Sequence, residues 1–330
     1  METIFRSVGI VATGFYVPKK VLTNFDLEKM VDTTDKWIRT RTGVRERRIA
    51  DDNEATSDLA VKAARKVLED AQVRPQEIDL IVVATLSPDY LFPSTACLVQ
   101  DKLGIKDAWA FDIEAACSGF IYALSVAEAF IKSGSYKTAL VIGAEVFSRI
   151  VDWTDRNTCV LMGDGAGAVV LREVENGKGI LSTYLGADGS RADLLKQPAG
   201  GSRLPAAEET VRQGLHYFKM QGNEVFKLAV RIMSESVITA LKKASLSNKD
   251  IDLIIPHQAN IRILNAMARR LSLPMEKLVV NLDKYGNTTA ASIPIALDEA
   301  LKQGRIKEDD IVVLVAFGAG LTWGASVIRW

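Results

Sequence analysis

Three polar side chains in this chain combine residue types and positions that suit nucleophilic catalysis. The first is Cys117, which follows an apolar run, Trp109 to Ile113, and precedes a helix-periodic segment. A thiol at such a strand-to-helix junction lies at a helix N-terminus, which favours the thiolate, and free backbone N–H groups there can hold an oxyanion. A buried core cysteine is the alternative, so the interpretation depends on the rest of the chain.

The other two candidates are His257 and Asn287. His257 is one of only two histidines, and it directly follows the apolar segment 251–256. That segment predicts a strand, and open α/β sheets usually bind ligands at the carboxyl ends of their strands. Asn287 lies between Gly286 and two threonines, where turn chemistry alone could explain it. The second histidine, His216, has no comparable placement and is expected to be structural or solvent-facing.

The composition limits the classes of protein to consider. The 330 residues are 48% hydrophobic, which is ample for a large core, and 41 basic residues balance 41 acidic ones. Zero formal net charge gives no sign of nucleic acid or an anionic membrane as partner. Three widely spaced cysteines argue against a disulfide framework or a metal cluster. With Glu2 and Arg6 at the N-terminus and no signal-peptide or membrane-span pattern, we expect a soluble, cytoplasmic protein.

Hydrophobic periodicity predicts alternating strands and helices, and therefore a mostly parallel sheet. Short, continuously apolar runs indicate strands buried on both faces. Predicted strands cover Phe5–Gly14, Ile78–Ala84, Trp109–Ile113 and Thr138–Gly143, and predicted helices cover about Phe25–Val31 (capped by Asn24), Leu59–Ala71, Thr95–Leu103 and Ile261–Leu271.

An internal repeat organises these elements. The segment Ile78–Ile81 recurs as Ile251–Ile254, a shift of 173 (251 − 78), and the same shift carries Lys137–Gly143 onto Asp310–Ala316. We therefore predict two copies of one α/β unit, residues 1–175 and 176–330, whose sheets pack around shared central helices. The shift places Cys117 opposite position 290, beside Asn287, so both loops are expected to face one pocket.

Other motifs have plainer interpretations. The glycine-rich segment 163–168 continues as a strand, so it lacks the strand–turn–helix context of a dinucleotide site; its glycines are expected to allow close backbone approach. Cys97 is expected to be a core residue, and Cys159 is given no role. Arg262 and Arg269 are seven residues apart and share one face of a predicted helix. That face could be exposed to solvent only, or it could bind an acidic partner.

These features together resemble the thiolase superfamily, and most closely the β-ketoacyl-acyl carrier protein synthase III family, the initiating condensing enzymes of type II fatty acid synthesis. The resemblance spans essentially the whole chain and implies a duplicated αβαβα five-layer fold with two mostly parallel mixed sheets. It rests on the stretches Asp35–Gly43, Glu114–Gly119, Gly163–Gly167, His257–Asn260, Tyr285–Thr288 and Phe317–Gly324.

The resemblance implies a catalytic Cys-His-Asn triad of Cys117, His257 and Asn287. Elongating condensing enzymes use two catalytic histidines, but this sequence has no histidine at the Asn287 motif; thiolases use a second catalytic cysteine near the C-terminus, and this sequence has no cysteine after Cys159. The backbone N–H groups of Cys117 and Ala319 would form the oxyanion hole, although the family more often has glycine at the latter position. The implied reaction condenses an acyl-CoA primer, such as acetyl-CoA, with malonyl-acyl carrier protein, through an acyl-cysteine, releasing carbon dioxide and CoA.

The resemblance also implies binding surfaces. Acyl-CoA is a substrate, no cofactor or metal is expected, and the protein would be a homodimer. Trp37 and Arg156 would sandwich the adenine of CoA, since aromatic and guanidinium planes suit stacking. Phe92 would gate the partner subunit's acyl pocket, and Phe147 would line the pocket. Further CoA contacts would be Arg41 and Asn260, and the carrier-protein surface would comprise Lys227, Arg262, Arg269 and Arg270.

Two alternatives stay open. A related condensing enzyme or acyltransferase of secondary metabolism would share the motifs. A cysteine hydrolase would also use Cys and His, but it would release free acid and need no malonyl-carrier protein.

Overall fold

The structure is a computed structural model that describes residues 6–330. Residues 1–5, which include Glu2 and the predicted strand start at Phe5, lie outside the described part. The strands are β1 (Ser7–Tyr16), β2 (Lys20–Thr23), β3 (Glu46–Ile49), β4 (Leu80–Ala84), β5 (Trp109–Ile113), β6 (Thr138–Glu145), β7 (Gly165–Val174), β8 (Gly179–Ala187), β9 (Leu195–Lys196), β10 (Lys219–Met220), β11 (Leu253–Pro256), β12 (Ile311–Gly318) and β13 (Thr322–Arg329).

The helices predicted at about 59–71, 95–103 and 261–271, and the helix-periodic segment after Cys117, are present with similar bounds. The helices are α1 (Asn24–Leu27), α2 (Asp35–Thr42), α3 (Thr56–Asp70), α4 (Thr95–Lys102), α5 (Gly119–Lys132), α6 (Arg156–Cys159), α7 (Glu208–Arg212), α8 (Gly222–Lys243), α9 (Ile261–Leu271), α10 (Leu282–Tyr285) and α11 (Ser292–Lys302).

Two mixed sheets organise the chain. The first has the order β1-β7-β6-β4-β5, in which β4 runs parallel to β5 and β6, while β7 is antiparallel to its neighbours. The second has the order β11-β12-β13-β8, with β11 parallel to β12 and the rest antiparallel. The first sheet uses strands from the N-terminal part of the chain and the second uses strands from β8 onward. Within residues 6–330, three of the seven strand pairings in these sheets are parallel and four are antiparallel, so the sheets are mixed as predicted but not mostly parallel.

Side-chain alternation along the strands divides the interior into three stacked cores. In β4, Leu80, Val82 and Ala84 enter the core between the two sheets, whereas Ile81 and Val83 enter the core beneath α3 and α4. This follows from the period of two along a strand. Helices α5 and α11 fill the core between the sheets, and α8 and α9 cover the outer face of the second sheet. The result is the predicted five-layer arrangement.

The 173-residue shift recurs in the backbone. It carries the first residue of β4 onto that of β11, of β6 onto that of β12, and of α5 onto that of α11. It also relates two residues with unusual positive φ, Ala116 at 46° and Thr289 at 47°. Asp79 accepts hydrogen bonds from the backbone N–H groups of Lys137 and Thr138 at the start of β6, and Asp252 accepts one from that of Ile311 at the start of β12. The division at residues 175 and 176 stays a prediction.

Three sequence predictions were wrong in detail. Strand β5 is an edge strand, so Trp109 is 62% exposed in this chain. Cys97 is exposed, because α4 turns Ala96 and Val99 inward instead. Helix α1 is shorter than predicted and is capped by Thr23, because the Asn24 amide donates to Asp35 and to the carbonyl of Val44.

Candidate active site

Cys117 lies in a single turn, Ala116–Ser118, between β5 and α5. The backbone N–H of Ala116 donates to the carboxylate of Glu114 (2.9 Å), and the Ser118 hydroxyl donates to the carbonyl of Thr322 (3.1 Å). A side chain on Gly318 would lie 2.7 Å from the backbone nitrogen of Cys117, so β12 can approach the turn only with glycine there. The predicted strand-to-helix junction is present, and the second half of the chain supports it from behind.

The matching turn of the second half, Thr289–Ala291, orients Asn287. The side-chain oxygen of Asn287 accepts from the backbone N–H of Thr289 (2.9 Å), and its own backbone N–H donates to the carbonyl of Leu161 (2.8 Å). Because only the amide oxygen can accept that bond, the NH₂ group of Asn287 is left free to donate. Gly163 makes room for this loop, since a Cβ there would lie 2.2 Å from the carbonyl oxygen of Tyr285.

His257 directly follows β11 and is 2% exposed. Its Nδ1 lies 2.8 Å from the hydroxyl of Ser292, the first residue of α11. Burial lowers the pKa of the imidazole to about 4, so the ring is neutral at pH 7. Sequence reasoning missed Ser292. The repeat could have indicated it, because the 173-residue shift relates Ser292 to Gly119, the residue directly after the turn that contains Cys117.

One cavity of about 690 Å³ brings the candidates together. Its lining includes all three triad residues and Ala319, as well as Phe147, which the sequence assigned to the acyl pocket. The Thr322 hydroxyl donates to the carbonyl of Ala319 (2.9 Å) and fixes that residue beside the cysteine turn. Three predicted CoA contacts also line the cavity: Trp37, Arg41 and Asn260. Arg262, which was assigned to the carrier-protein surface, lines it as well.

The electrostatics around Cys117 differ from the sequence prediction. Burial, and then the carboxyl groups of Glu145 and Glu114, raise the pKa of the Cys117 thiol. The expectation that a helix end would favour the thiolate was therefore wrong for the unliganded site, because desolvation of the charged form outweighs the helix terminus. The resting group is a thiol, so a base must take its proton when it attacks.

The two predicted partners of adenine lie against each other. The Arg156 guanidinium stands 5.0 Å from the centre of the Trp37 ring, and it donates to the carbonyl of Asp32 (2.6 Å). At this distance the two groups contact each other, so no ring lies between them in this structure. Arg156 does not itself line the cavity, whereas its neighbours Asp155 and Asn157 do.

The predicted carrier-protein residues lie on α8 and α9, and Arg262 is the one of them that lines the cavity. Lys227 pairs with Glu224, Arg270 with Glu235, and Arg262 stacks on the ring of Phe226 at 5.4 Å. Asn260 caps α9 by accepting from the backbone N–H of Arg262 (2.8 Å). Among the described residues, the contacts of Arg269 do not test its predicted role in binding the carrier protein.

Phe92 does not line the cavity of its own chain and is 85% exposed, next to the equally exposed Leu91. His216 bonds to the hydroxyl of Thr210 (2.9 Å), which suits a structural role.

Within residues 6–330, no cluster of His, Cys, Asp or Glu is arranged to hold a metal ion. No helix in that range has the length and apolar character needed to cross a membrane.

Comparison with known proteins agrees with this geometry. Residues 111–189 match the family described as 3-oxoacyl-[acyl-carrier-protein] synthase III, and residues 241–330 match its C-terminal part. The β-ketoacyl-[acyl-carrier-protein] synthase III of Caldanaerobacter subterraneus subsp. tengcongensis is 58% identical over 324 residues, covering 98% of each chain.

Two solved structures are also similar. The 3-oxoacyl-[acyl-carrier-protein] synthase III of Aquifex aeolicus is 53% identical with a TM-score of 0.91, covering 98% of this chain and 100% of that one. The priming β-ketosynthase of the R1128 polyketide pathway is 33% identical with a TM-score of 0.91, covering 98% and 96%. With such identity over nearly its whole length, the chain belongs to the β-ketoacyl-[acyl-carrier-protein] synthase III family.

Proposed function

We propose that this chain condenses an acyl-CoA primer with malonyl-acyl carrier protein to give 3-ketoacyl-acyl carrier protein, carbon dioxide and CoA, and so initiates fatty acid synthesis. The observation that carries the proposal is the single cavity lined by Cys117, His257 and Asn287. Family membership supplies the reaction class, and the three side chains supply a nucleophile, a base and a hydrogen-bond donor.

In the first step the Cys117 sulfur attacks the thioester carbonyl of acyl-CoA. Neutral His257 takes the thiol proton and returns it to the leaving CoA sulfur, so that the step ends with an acyl-cysteine and free CoA. The backbone N–H groups of Cys117 and Ala319 hold the tetrahedral oxyanion. The neutral state of His257 supports this assignment, because an imidazolium could not accept the proton.

In the second step malonyl-carrier protein enters the emptied cavity. Nε2–H of His257 and the NH₂ of Asn287 donate to the malonyl thioester oxygen and stabilise the enolate formed as carbon dioxide leaves. The enolate carbon then attacks the carbonyl carbon of the acyl-cysteine, the C–S bond breaks and Cys117 leaves as a thiolate, and a proton taken up from solvent restores the thiol. The Ser292 hydroxyl suits both steps, since it can accept from Nδ1–H or donate to Nδ1 and so serve either imidazole tautomer.

The remaining partner assignments belong to the same proposal. Trp37, Arg41, Arg156 and Asn260 bind CoA, and Lys227, Arg262, Arg269 and Arg270 bind the acidic carrier protein. The exposed edge strand β5 and the exposed Phe92 support a homodimer in which Phe92 enters the partner subunit's acyl pocket. The free cysteines suit the reducing cytoplasm.

The test is intact-mass analysis in two stages. Incubation with a panel of acyl-CoAs should add one acyl group to the protein, and malonyl-carrier protein should then discharge it as a 3-ketoacyl product. Discharge as free acid without malonyl-carrier protein would point instead to a cysteine hydrolase. An acyl-enzyme that malonyl-carrier protein never discharges would contradict the proposal.

A second candidate is the priming step of a secondary pathway, which the likeness to the R1128 priming β-ketosynthase favours. It uses the same chemistry with another carrier protein. The two candidates are separated by measuring kcat/KM for discharge of the acyl-enzyme with the malonyl form of each carrier protein. A higher value with the carrier protein of fatty acid synthesis would favour the first candidate.

Replacing Ser292 with alanine tests the role of His257. The change leaves buried Nδ1 without a partner, and an unmade buried hydrogen bond costs about 1–3 kcal/mol. We expect kcat for condensation to fall about tenfold to a hundredfold, because the imidazole loses the group that orients it, and we expect the melting temperature to fall by a few degrees, in line with that cost. Ser292→Thr keeps the hydroxyl and should retain more activity than Ser292→Ala; equal losses would argue against a hydroxyl role.

A further inference from the structure

Arg47, in β3, is the largest fully buried side chain among residues 6–330, and the mechanism above does not use it. Its guanidinium donates three hydrogen bonds. Nη1 donates to the carbonyl of Leu22 (3.0 Å) and to the side-chain oxygen of Asn24 (3.0 Å), and Nη2 donates to the carbonyl of Val160 (2.8 Å). All three acceptors are neutral, so within the described residues no carboxylate bonds to this buried charge.

A buried charge without a counter-charge is costly, because neutral oxygens replace only part of the hydration that the group loses. Burial lowers the pKa of Arg47 to about 10, which still leaves the guanidinium charged at pH 7. A methionine would fill similar space without this cost. The position is therefore better explained by what the guanidinium holds in place than by the stability that it adds.

One of the three hydrogen bonds leads directly to Asn287. Nη2 of Arg47 binds the first residue of the segment 160–163, and this segment holds the Asn287 backbone from both sides. The carbonyl of Leu161 accepts from the backbone N–H of Asn287 (2.8 Å), and the backbone N–H of Gly163 donates to the carbonyl of Asn287 (3.0 Å). Arg47 thus fixes the segment that fixes the asparagine.

The stem of Arg47 packs against the same part of the site. A Cβ built on Gly163 would lie 3.1 Å from the Cβ of Arg47, and one built on Gly286 would lie 3.2 Å from it. Carbon atoms in ordinary contact lie about 3.5–4.0 Å apart, so both glycine backbones press closely on the stem. Gly286 directly precedes Asn287, so the stem and the guanidinium both contact the surroundings of the asparagine.

We propose that Arg47 is a positioning residue for Asn287, because its stem and guanidinium fix the backbone around the asparagine and so aim the NH₂ group at the malonyl thioester oxygen. The inference rests on the proposed function, which gives Asn287 its task in the second step. Arg47 does not line the cavity, so it acts without touching substrate. Its loss should therefore affect decarboxylation of the malonyl group and spare acyl loading.

A competing route runs through Asn24. The amide of Asn24 accepts from Arg47 and donates to the carboxylate of Asp35 (2.9 Å), the first residue of α2. Helix α2 carries the predicted CoA contacts Trp37 and Arg41. If Arg47 acted chiefly through this helix, its replacement would slow acyl loading from acyl-CoA. The two steps of the reaction therefore distinguish the two routes.

The test measures both steps in Arg47→Met, which keeps the length of the side chain and removes the guanidinium. We expect release of carbon dioxide from malonyl-carrier protein to fall about tenfold to a hundredfold, because misplacing a catalytic group by about 1 Å can cost that much. Acyl loading should stay within about threefold of the unaltered rate. Equal losses in the two steps, or a loss in loading alone, would overturn the proposal.

Arg47→Lys provides a conservative variant. It keeps the positive charge and can reach one of the three oxygens, so it should lose less decarboxylation than Arg47→Met while again sparing loading. The same comparison of the two steps is made in Arg47→Lys if Arg47→Met does not fold.

Two controls make the test specific. Arg172→Met removes a half-buried guanidinium of β7 that binds Thr138 and Glu77 outside the cavity, and it should leave both steps unaltered. In Asn287→Ala there is no amide to misplace, so adding Arg47→Met should lower carbon dioxide release by no more than about threefold further. A full additional loss would show that Arg47 does not act through Asn287 and would overturn the proposal.

A structural measurement separates this proposal from the proposed function. In a crystal structure of Arg47→Met we expect the side-chain amide of Asn287 to move by about 1 Å, while Cys117 and His257 keep their places. An unmoved Asn287 would overturn the positioning role. If the unaltered protein released no carbon dioxide, the proposed function would fail, and the displacement of Asn287 would still decide whether Arg47 positions it.

Discussion

Cys117→Ala is expected to abolish acyl loading and to lower condensation by about 10⁴-fold or more. The physical reason is that no other thiol lines the cavity, so the two-step route through an acyl-enzyme is lost. The fold should persist, because alanine fills the same turn without strain. Intact-mass analysis after incubation with acetyl-CoA would show whether any acyl group remains attached.

The matched control for this prediction is Cys97→Ala, which removes an exposed thiol outside the cavity. It should load one acyl group as the unaltered protein does. Acylation of the Cys117→Ala protein at another residue would show that the nucleophile has been misassigned.

Asn287→Asp is expected to stop the second step while sparing the first. The carboxylate can still accept from the backbone N–H of Thr289, so the turn keeps its geometry. However, the NH₂ donor is replaced by a negative oxygen facing the developing enolate. Loss of one such donor costs about 10²–10³-fold in rate. Because the new carboxylate also repels the enolate, we expect the loss in this variant to lie at the upper end of that range.

Two measurements on Asn287→Asp separate the steps. Acyl loading from acyl-CoA should remain within about threefold of the unaltered rate, while release of carbon dioxide from malonyl-carrier protein should fall with condensation. Asn53→Asp makes the same chemical change on the surface and should leave both steps unaltered. Equal losses in loading and condensation would mean that Asn287 acts on the fold or on Cys117 instead.

Much of the fold was predictable from sequence because it depends on periodic patterns. Apolar runs of strand length and helix-periodic segments placed most elements, and one repeat offset related Cys117 to the Asn287 loop. That offset holds even for the positive φ of Ala116 and Thr289, which no hydrophobic pattern encodes. The exposed edge of β5 was not predictable, since an apolar run does not reveal whether a strand has one neighbour or two.

The sequence predicted which polar side chains meet in one cavity, but it did not predict their electrostatics. The pKa of Cys117 depends on burial and on Glu145, which comes from another strand and has no local motif. Ser292 reaches His257 across 35 residues of sequence. The contact between Trp37 and Arg156 was likewise hidden, because the resemblance gives the partners of a bound adenine and not their arrangement without it.

The central helices have a consequence for how the chain is made. Helix α11 lies near the C-terminus, yet it packs on β1 and β7, which are among the strands of the first sheet. During synthesis on the ribosome, α5 is available to cover part of the inner face of the first sheet, but the part that α11 covers stays exposed until more than a hundred residues after β7 have emerged (292 − 174 = 118). An exposed apolar face of this kind is prone to aggregation until α11 docks on it.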